Sequence, residues 1–174
     1  RFIKKVKADY PTHQVHKSAP ILHRLRSIKH PIELDAMQKA CDITKAGINR
    51  VLKYIKPGVW EHHIEAELAH EFLMNSSRGF AYTPIIASGK NACVLHYIEN
   101  NKECLDGDVI LLDVGAEYAN YASDLTRCIP VNGKFSPEQL AVYEVVLLAQ
   151  EAAIEKTVTG NHWNEPHDAA VKVI

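Results

Sequence analysis

Apolar residues recur at helical spacing in the first half of the chain and predict two amphipathic helices. The first begins at Pro31 and ends at Pro57-Gly58, a pair that stops a helix. The second covers residues 60–75 and places four apolar side chains on one face, namely Ile64, Leu68, Phe72 and Leu73. Because an apolar stripe must be covered, the first helix needs a partner surface.

Shorter apolar runs further along the chain predict β-strands. Residues 80–87 and 93–98 form two of them, separated by a turn that contains glycine. Residues 109–114 are rich in β-branched side chains, and residues 121–129 are expected to return beside them as a hairpin. The tight turn is expected at Ala119-Asn120, because asparagine tolerates the positive φ that such a turn needs.

A further helical pattern follows the hairpin. Ser136-Pro137-Glu138 is typical of a helix start, with serine as the N-cap and proline at the first helical position. The helix is predicted to cover residues 140–158, before Thr159-Gly160 breaks it. Residues 162–174 then begin another amphipathic segment.

This order of elements contains a repeat. A long helix, a break and a shorter helix start at Ala36, and the same order starts again at Glu138, 102 residues later. A repeat of this size indicates a duplicated α+β unit in which each copy places helices over part of a shared sheet. The second copy stops at Ile174, before its strands.

Composition limits the classes of partner. The 174 residues are 47% hydrophobic and 24% charged, which is typical of a globular protein with a sizeable core. A net charge of -1 gives no electrostatic reason to expect nucleic acid or an anionic membrane as partner. No apolar run has the length of a membrane span, no signal-peptide pattern opens the chain, and the four cysteines form no Cys-x-x-Cys pair. A cytoplasmic protein is therefore expected.

Two aspartates in the predicted hairpin carry the candidate chemistry. With the turn at Ala119-Asn120, Gly115 lies opposite Asp124, and Asp113 lies diagonal to Asp124 on the same face. Two carboxylates in one space either share a proton or are neutralised by cations, and their oxygens suit Mg²⁺, Mn²⁺ or a pair of divalent ions. The same spacing also fits a structural alternative, in which Asp124 caps a turn and Asp113 ends a strand.

Several histidines need an interpretation. His96 falls in a predicted apolar strand, where a lone histidine is more often a core residue unless a carboxylate site lies nearby. One face of the second helix carries His63, Glu67, His70 and Glu71, which suit either a helical metal site or an ordinary solvated face, and the solvated face is favoured. The histidines of residues 1–30 belong to a basic segment that has the character of a linker.

An ordered series of motifs connects these residues to a known family. The motifs are Gly89-Lys90-Asn91-Ala92, Leu95-His96-Tyr97, Asp106-Gly107-Asp108, Leu112-Asp113-Val114-Gly115, and Ser123-Asp124-Leu125-Thr126-Arg127 followed by Pro130-Val131-Asn132-Gly133-Lys134-Phe135. Together they resemble the Xaa-Pro aminopeptidase (aminopeptidase P) and prolidase branch of the metallopeptidases with the pita-bread fold. The resemblance implies a partial catalytic domain in residues 31–174, preceded in residues 1–30 by the end of an N-terminal domain and a linker.

The resemblance implies a site with two divalent metal ions, usually manganese, held by Asp, Asp, His, Glu and Glu. Asp113 and Asp124 match the first two ligands. His96 matches a histidine that contacts substrate and helps to move protons, and Tyr82 matches a residue of the substrate-binding wall. The other three ligands, and the expected glutamate base, would belong to strands beyond Ile174, so the chain as given is expected to be inactive and to self-associate.

The implied activity is release of the N-terminal residue from peptides with proline in second position. One alternative is a prolidase, which cleaves Xaa-Pro dipeptides on the same architecture. Another is a non-catalytic pita-bread domain used for binding, against which the presence of both Asp113 and Asp124 argues. Metal-free amidinohydrolases such as creatinase share the fold but lack this Asp pair.

Overall fold

The computed structural model describes residues 1–174 and combines helices with short antiparallel strands. The helices are α1 (Phe2–Asp9), α2 (Ala19–Ser27), α3 (Pro31–Tyr54), α4 (Glu61–Met74), α5 (Pro137–Lys156) and α6 (Glu165–Val173), with a 3-10 helix at Gly89–Cys93. The strands are β1 (Gly79–Phe80), β2 (Ile85–Ser88), β3 (Val109–Val114), β4 (Ala116–Tyr118), β5 (Tyr121–Ala122) and β6 (Leu125–Pro130).

Helices α3, α4, α5 and α6 lie close to where the sequence predicts them. Pro31 opens α3, and the Glu33 carboxylate accepts the backbone N–H of His30 at 2.7 Å, which satisfies a donor at the helix start. At α5, the Ser136 hydroxyl accepts the backbone N–H of Gln139 at 3.2 Å, as expected of an N-cap. Helices α1 and α2 lie in the predicted linker, and neither has a buried residue.

Helices α3 and α4 pack together over one face of the sheet. The core joins apolar residues of both helices to β2 and β3, and its largest buried side chains include Ile43, Ile64, Leu68, Phe72, Ile86, Ile110 and Leu112. Leu73, predicted to face inward, is instead 60% exposed, because it lies one residue past the stripe that ends at Phe72. No helix is long and apolar enough to cross a membrane.

The strands form two three-stranded antiparallel sheets, ordered β2-β3-β6 and β1-β4-β5. One hairpin runs through both sheets in one register, since Asp113 pairs with Thr126 and Glu117 pairs with Ala122. The predicted turn is confirmed, with φ of 51° at Ala119 and 68° at Asn120. The predicted strand 80–87 is divided between the sheets as β1 and β2, because Pro84 lacks a donor for a ladder.

The predicted strand 93–98 is wrong. The 3-10 helix Gly89–Cys93 is followed by a turn and an irregular segment, in which Tyr97 is buried and the neighbouring Leu95 is 89% exposed. His96 is also exposed, so it is not a core histidine. Alternating apolar residues do not produce a strand here, because the Tyr97 hydroxyl is bonded to the buried carboxylate of Glu61 and the backbone makes only local turn bonds.

The tight packing of α4 against Gly47 of α3 generates a prediction for stability. A Cβ on Gly47 would lie 2.6 Å from Cε1 of Phe72, a ring that is fully buried. Gly47→Ala gains up to about 1 kcal/mol of helix propensity but overpacks the core at a cost of about 1–3 kcal/mol. We therefore expect net destabilisation of about 1 kcal/mol, and no more than about 2 kcal/mol, measured by urea unfolding.

The control is the same substitution in a Phe72→Leu background, where the clashing ring is absent. There Gly47→Ala should be close to neutral or stabilising relative to Phe72→Leu alone. Equal destabilisation in both backgrounds would contradict the steric explanation.

Candidate metal centre

Asp113 and Asp124 meet at one tyrosine hydroxyl. The Tyr82 hydroxyl lies 2.7 Å from Oδ1 of Asp113 and 3.1 Å from Oδ1 of Asp124. Asp113 is half-buried near the end of β3, whereas Asp124 is exposed between β5 and β6. The two carboxylates that the sequence places on one face are therefore brought to one point.

Hairpin register explains why both carboxylates share a face. Between the two sheets, Gly115 lies opposite Asp124. This follows from the pairs on either side, which are Val114 with Leu125 and Ala116 with Ser123. Because side chains alternate along a strand, Asp113 and Asp124 then point away from the helices. Ser123 points toward them, and it is buried.

A glycine is required between β3 and β4, opposite Asp124. A Cβ on Gly115 would lie 1.9 Å from the carbonyl oxygen of Ser123 and 3.0 Å from Cε1 of Tyr82. Since backbone cannot yield as a flexible side chain can, no other residue fits without separating the strands. Gly115 therefore allows both the close approach of the Ser123 backbone and the position of Tyr82 beside the carboxylates.

Buried hydroxyl groups connect this part of the hairpin to α3. The hydroxyls of Thr44 and Ser123 lie 2.6 Å apart, and both accept from the backbone N–H of Ala116, at 2.8 Å and 3.0 Å. Thr44 is 1% exposed and Ser123 5% exposed. Because unpaired polar groups are costly in a core, this cluster fixes the hairpin relative to the helix.

The electrostatics of the site favour a cation. Neither Asp113 nor Asp124 forms an ion pair with a basic side chain, and the Oδ2 atom of each accepts no hydrogen bond from the protein. Burial, followed by the hydrogen bond to Asp113 and the nearby negative charges, raises the pKa of Tyr82, which therefore stays protonated as a donor. Two carboxylates with free oxygens and no basic partner suit a hard divalent ion.

This donor set is incomplete within the chain. No group of three or more His, Cys, Asp or Glu side chains is arranged to hold a metal ion. The alternative helical site on α4 is not formed either, since Glu67 and Glu71 contact Arg50 at 2.6 Å and 3.5 Å. Within this chain, the candidate site therefore has two acidic side chains, Asp113 and Asp124.

His96 makes no hydrogen bond to Asp113 or Asp124. It makes no hydrogen bond within the chain and is exposed. The next residue, Tyr97, is buried in a small cluster with Ile85 and Ala87. Ile85 pairs with Asp113 across β2 and β3, so Tyr97 packs on the sheet face that carries Asp113. His96 is therefore presented from a segment anchored on the metal-site face.

Sequence reasoning missed the residue that holds this segment. Glu61, the first residue of α4, is fully buried, and its carboxylate accepts the Tyr97 hydroxyl at 2.6 Å. Asn100 adds a second anchor, since its Oδ1 accepts the Ile86 N–H at 3.0 Å and its Nδ2 donates to the Pro84 carbonyl. An acidic residue in the first turn of a helix is usually exposed, so nothing in the local sequence signalled its burial.

Comparison with known proteins identifies the family and the fold of this chain. The family model of metallopeptidase family M24 matches residues 35–174. The Xaa-Pro aminopeptidase of Haemophilus influenzae is 44% identical over 154 residues, which make up 88% of this chain and 36% of that protein. The structure of Pseudomonas aeruginosa aminopeptidase PepP matches with a TM-score of 0.89 at 42% identity, over 99% of this chain and 40% of that one. Zinc-substituted Escherichia coli aminopeptidase P in complex with product gives a TM-score of 0.88 at 38% identity, over 90% of this chain and 36% of that one.

These matches confirm the α+β pita-bread fold that the motifs predict. The chain spans 36% of the length of the curated relative, so the comparison concerns one part of such a protein. The matched region contains Tyr82, His96, Asp113 and Asp124, although the roles of these residues stay predictions. With 140 of 174 residues inside the family match (35 to 174 inclusive), this chain belongs to metallopeptidase family M24.

Proposed function

We propose that this chain is part of a metal-dependent Xaa-Pro aminopeptidase and supplies two of its metal ligands. The observation that carries the proposal is the convergence of Asp113 and Asp124 on the Tyr82 hydroxyl, without a basic partner. The Xaa-Pro aminopeptidases among its relatives support the substrate class. A purely structural role for the aspartates fits less well, because caps and strand ends do not need two like charges at one point.

Each residue of the site has a proposed task. Asp113 and Asp124 would hold two divalent ions, and Mn²⁺ is the ion we propose. Such ions supply Lewis acidity and a bound water of lowered pKa when present. Tyr82 would orient both carboxylates through its hydroxyl and line the substrate wall. His96, exposed on its anchored segment, would contact the substrate and carry a proton.

The proposed substrate is a peptide with proline in second position, and the product is its free N-terminal residue. A prolidase would instead act on the Xaa-Pro dipeptide. Tripeptides and dipeptides of the same Xaa-Pro sequence, assayed side by side, distinguish the two enzymes. Self-association and a cytoplasmic location are also proposed, and neither nucleic acid nor a membrane is proposed as a partner.

The metal ligands can be tested by Asp124→Asn in a protein that carries this segment together with the remaining three ligands. We expect loss of Xaa-Pro hydrolysis and lower metal occupancy, because a charged ligand becomes a weak neutral one. Metal content by mass spectrometry and proline-peptide turnover are the measurements. Asp35→Asn, an exposed aspartate on α3 without a hydrogen bond, is the matched control and should change neither. Full activity with unchanged metal content would exclude Asp124 as a ligand.

The role of His96 can be tested in the same protein by His96→Ala. Turnover should fall by roughly two orders of magnitude while the metals stay bound, which is the usual scale for a positioned proton-transfer group. Because His96 is exposed and unbonded, the free energy of unfolding should change by no more than about 0.5 kcal/mol. His70→Ala, an exposed histidine on α4, serves as control. A stability loss with normal turnover would contradict the assignment.

The chain as given should bind Mn²⁺ weakly and should not turn over an Xaa-Pro peptide. Asp113 and Asp124 offer at most four oxygens between them, and each ion of a pair needs about that many ligands with a second shell that fixes them. Calorimetric titration of Mn²⁺, with release of the N-terminal residue followed in parallel, is the measurement. Tight binding of two ions with turnover would show that the remaining ligands are not required.

A further inference from the structure

Glu61 is a fully buried carboxylate with four hydrogen-bond donors. Its Oε1 accepts the Ser88 N–H at 2.8 Å and the Asn91 side-chain amide at 3.2 Å. Its Oε2 accepts the Tyr97 hydroxyl at 2.6 Å and the Lys102 N–H at 2.9 Å. The side chain is 0% exposed, and no basic side chain pairs with it. The carboxylate is therefore held entirely by donors and by its place at the N-terminus of α4.

All four donors belong to one stretch of the chain, residues 88–102. Ser88 and Lys102 donate from its two ends, whereas Asn91 and Tyr97 donate from within it. Apart from Ser88 at the end of β2 and the 3-10 helix Gly89–Cys93, this stretch has no helix or strand that could hold it. Glu61 thus closes the stretch into a loop, which we call the His96 loop because His96 lies within it.

Tyr97 links this carboxylate to the face of the metal site. Its ring packs with Ile85 and Ala87, which pair across the sheet with Asp113 and Leu111. Burial, followed by the hydrogen bond to Glu61, raises the pKa of Tyr97 to about 12, so the hydroxyl remains a donor at physiological pH. The loop is fixed at Tyr97, and the adjacent His96 is left free to face outward.

We propose that Glu61 is a positioning residue that holds His96 on the metal-site face by fixing the His96 loop. The proposal rests on the function proposed above, in which His96 acts on substrate. A buried glutamate that merely stabilised the core would be expected to draw donors from distant parts of the chain, whereas all four donors here lie within residues 88–102, from the last residue of β2 onward. Removing the carboxylate should therefore loosen this loop more than the rest of the fold.

Two variants test the proposal at different strengths. Glu61→Gln keeps the size of the side chain, but its amide NH₂ cannot accept the two donors that now share one oxygen. Tyr97→Phe keeps the ring and removes one donor, so it remains informative even where Glu61→Gln does not fold. The matched control is Tyr121→Phe, which also removes a tyrosine hydroxyl that donates to a glutamate at 2.6 Å, here Glu33 and outside the loop.

The measurements are made on this chain and need no metal or activity. NMR reports the imidazole signals of His96, with those of His70 on α4 as internal reference, and hydrogen exchange reports the Ser88 and Lys102 amides. Because glutamine keeps one of the two acceptor oxygens, we expect Glu61→Gln to accelerate exchange of the Ser88 or the Lys102 amide, whichever loses its acceptor, by at least about tenfold, the scale of a lost hydrogen bond to a charged group. Tyr97→Phe should shift or broaden the His96 signals, and neither variant should alter those of His70.

The control variant should leave both the His96 signals and the loop amides as in the original chain. Unchanged His96 signals and loop exchange in folded Tyr97→Phe and Glu61→Gln would overturn the proposal. So would equal changes at His70 and across α3, since they would indicate general destabilisation.

An activity measurement distinguishes this proposal from the function on which it rests. In a protein with all metal ligands, Tyr97→Phe should lower kcat while metal content is retained, and Asp124→Asn should lower metal content itself. If the loop loosens but kcat is unchanged, the positioning role is overturned while the metal assignment stands. If Asp124→Asn has no effect on metal, the proposed function fails regardless of the loop.

Discussion

The close approach of the two sides of the hairpin at Gly115 is the constraint on which the candidate site depends. The backbone of Gly115 approaches the Ser123 carbonyl so closely that no Cβ fits between them. This approach brings Asp113 in β3 and Asp124 between β5 and β6 within reach of one hydroxyl. Two like charges that converge on one hydroxyl repel each other, so the geometry must be imposed by the fold rather than by the carboxylates themselves.

Buried polar groups transmit that geometry from the apolar core to the site. Thr44 and Ser123 fix the hairpin against α3, and Glu61 fixes the His96 loop against α4. Each of these contacts joins residues far apart in the sequence and leaves no buried side-chain polar atom unpaired. Apolar burial alone tolerates small shifts between elements, whereas a satisfied buried hydrogen-bond network specifies one arrangement.

Local features of the sequence predicted much of this fold. The turn at Ala119-Asn120, the N-cap at Ser136 and the helical stripes each depend on neighbours a few residues away, so periodicity and turn chemistry were sufficient. The same reasoning placed Asp113 and Asp124 on one face, because hairpin register follows from the turn. Where a single residue lay at the edge of a stripe, as at Leu73, the pattern could not decide its direction.

The His96 loop could not be predicted in this way, because what holds it lies outside it. Alternation of apolar and polar residues predicts a strand for residues 93–98. The path of the loop instead depends on Glu61, which accepts hydrogen bonds from Ser88, 27 residues later in the chain, and from Lys102, 41 residues later. Gly115 likewise matters through a distant part of the chain, the Ser123 carbonyl. Gly115 contributes no chemical group to the site. In any redesign that varied the residues lining the site, Gly115 would be the position that tolerates substitution least, because the site requires an empty volume there.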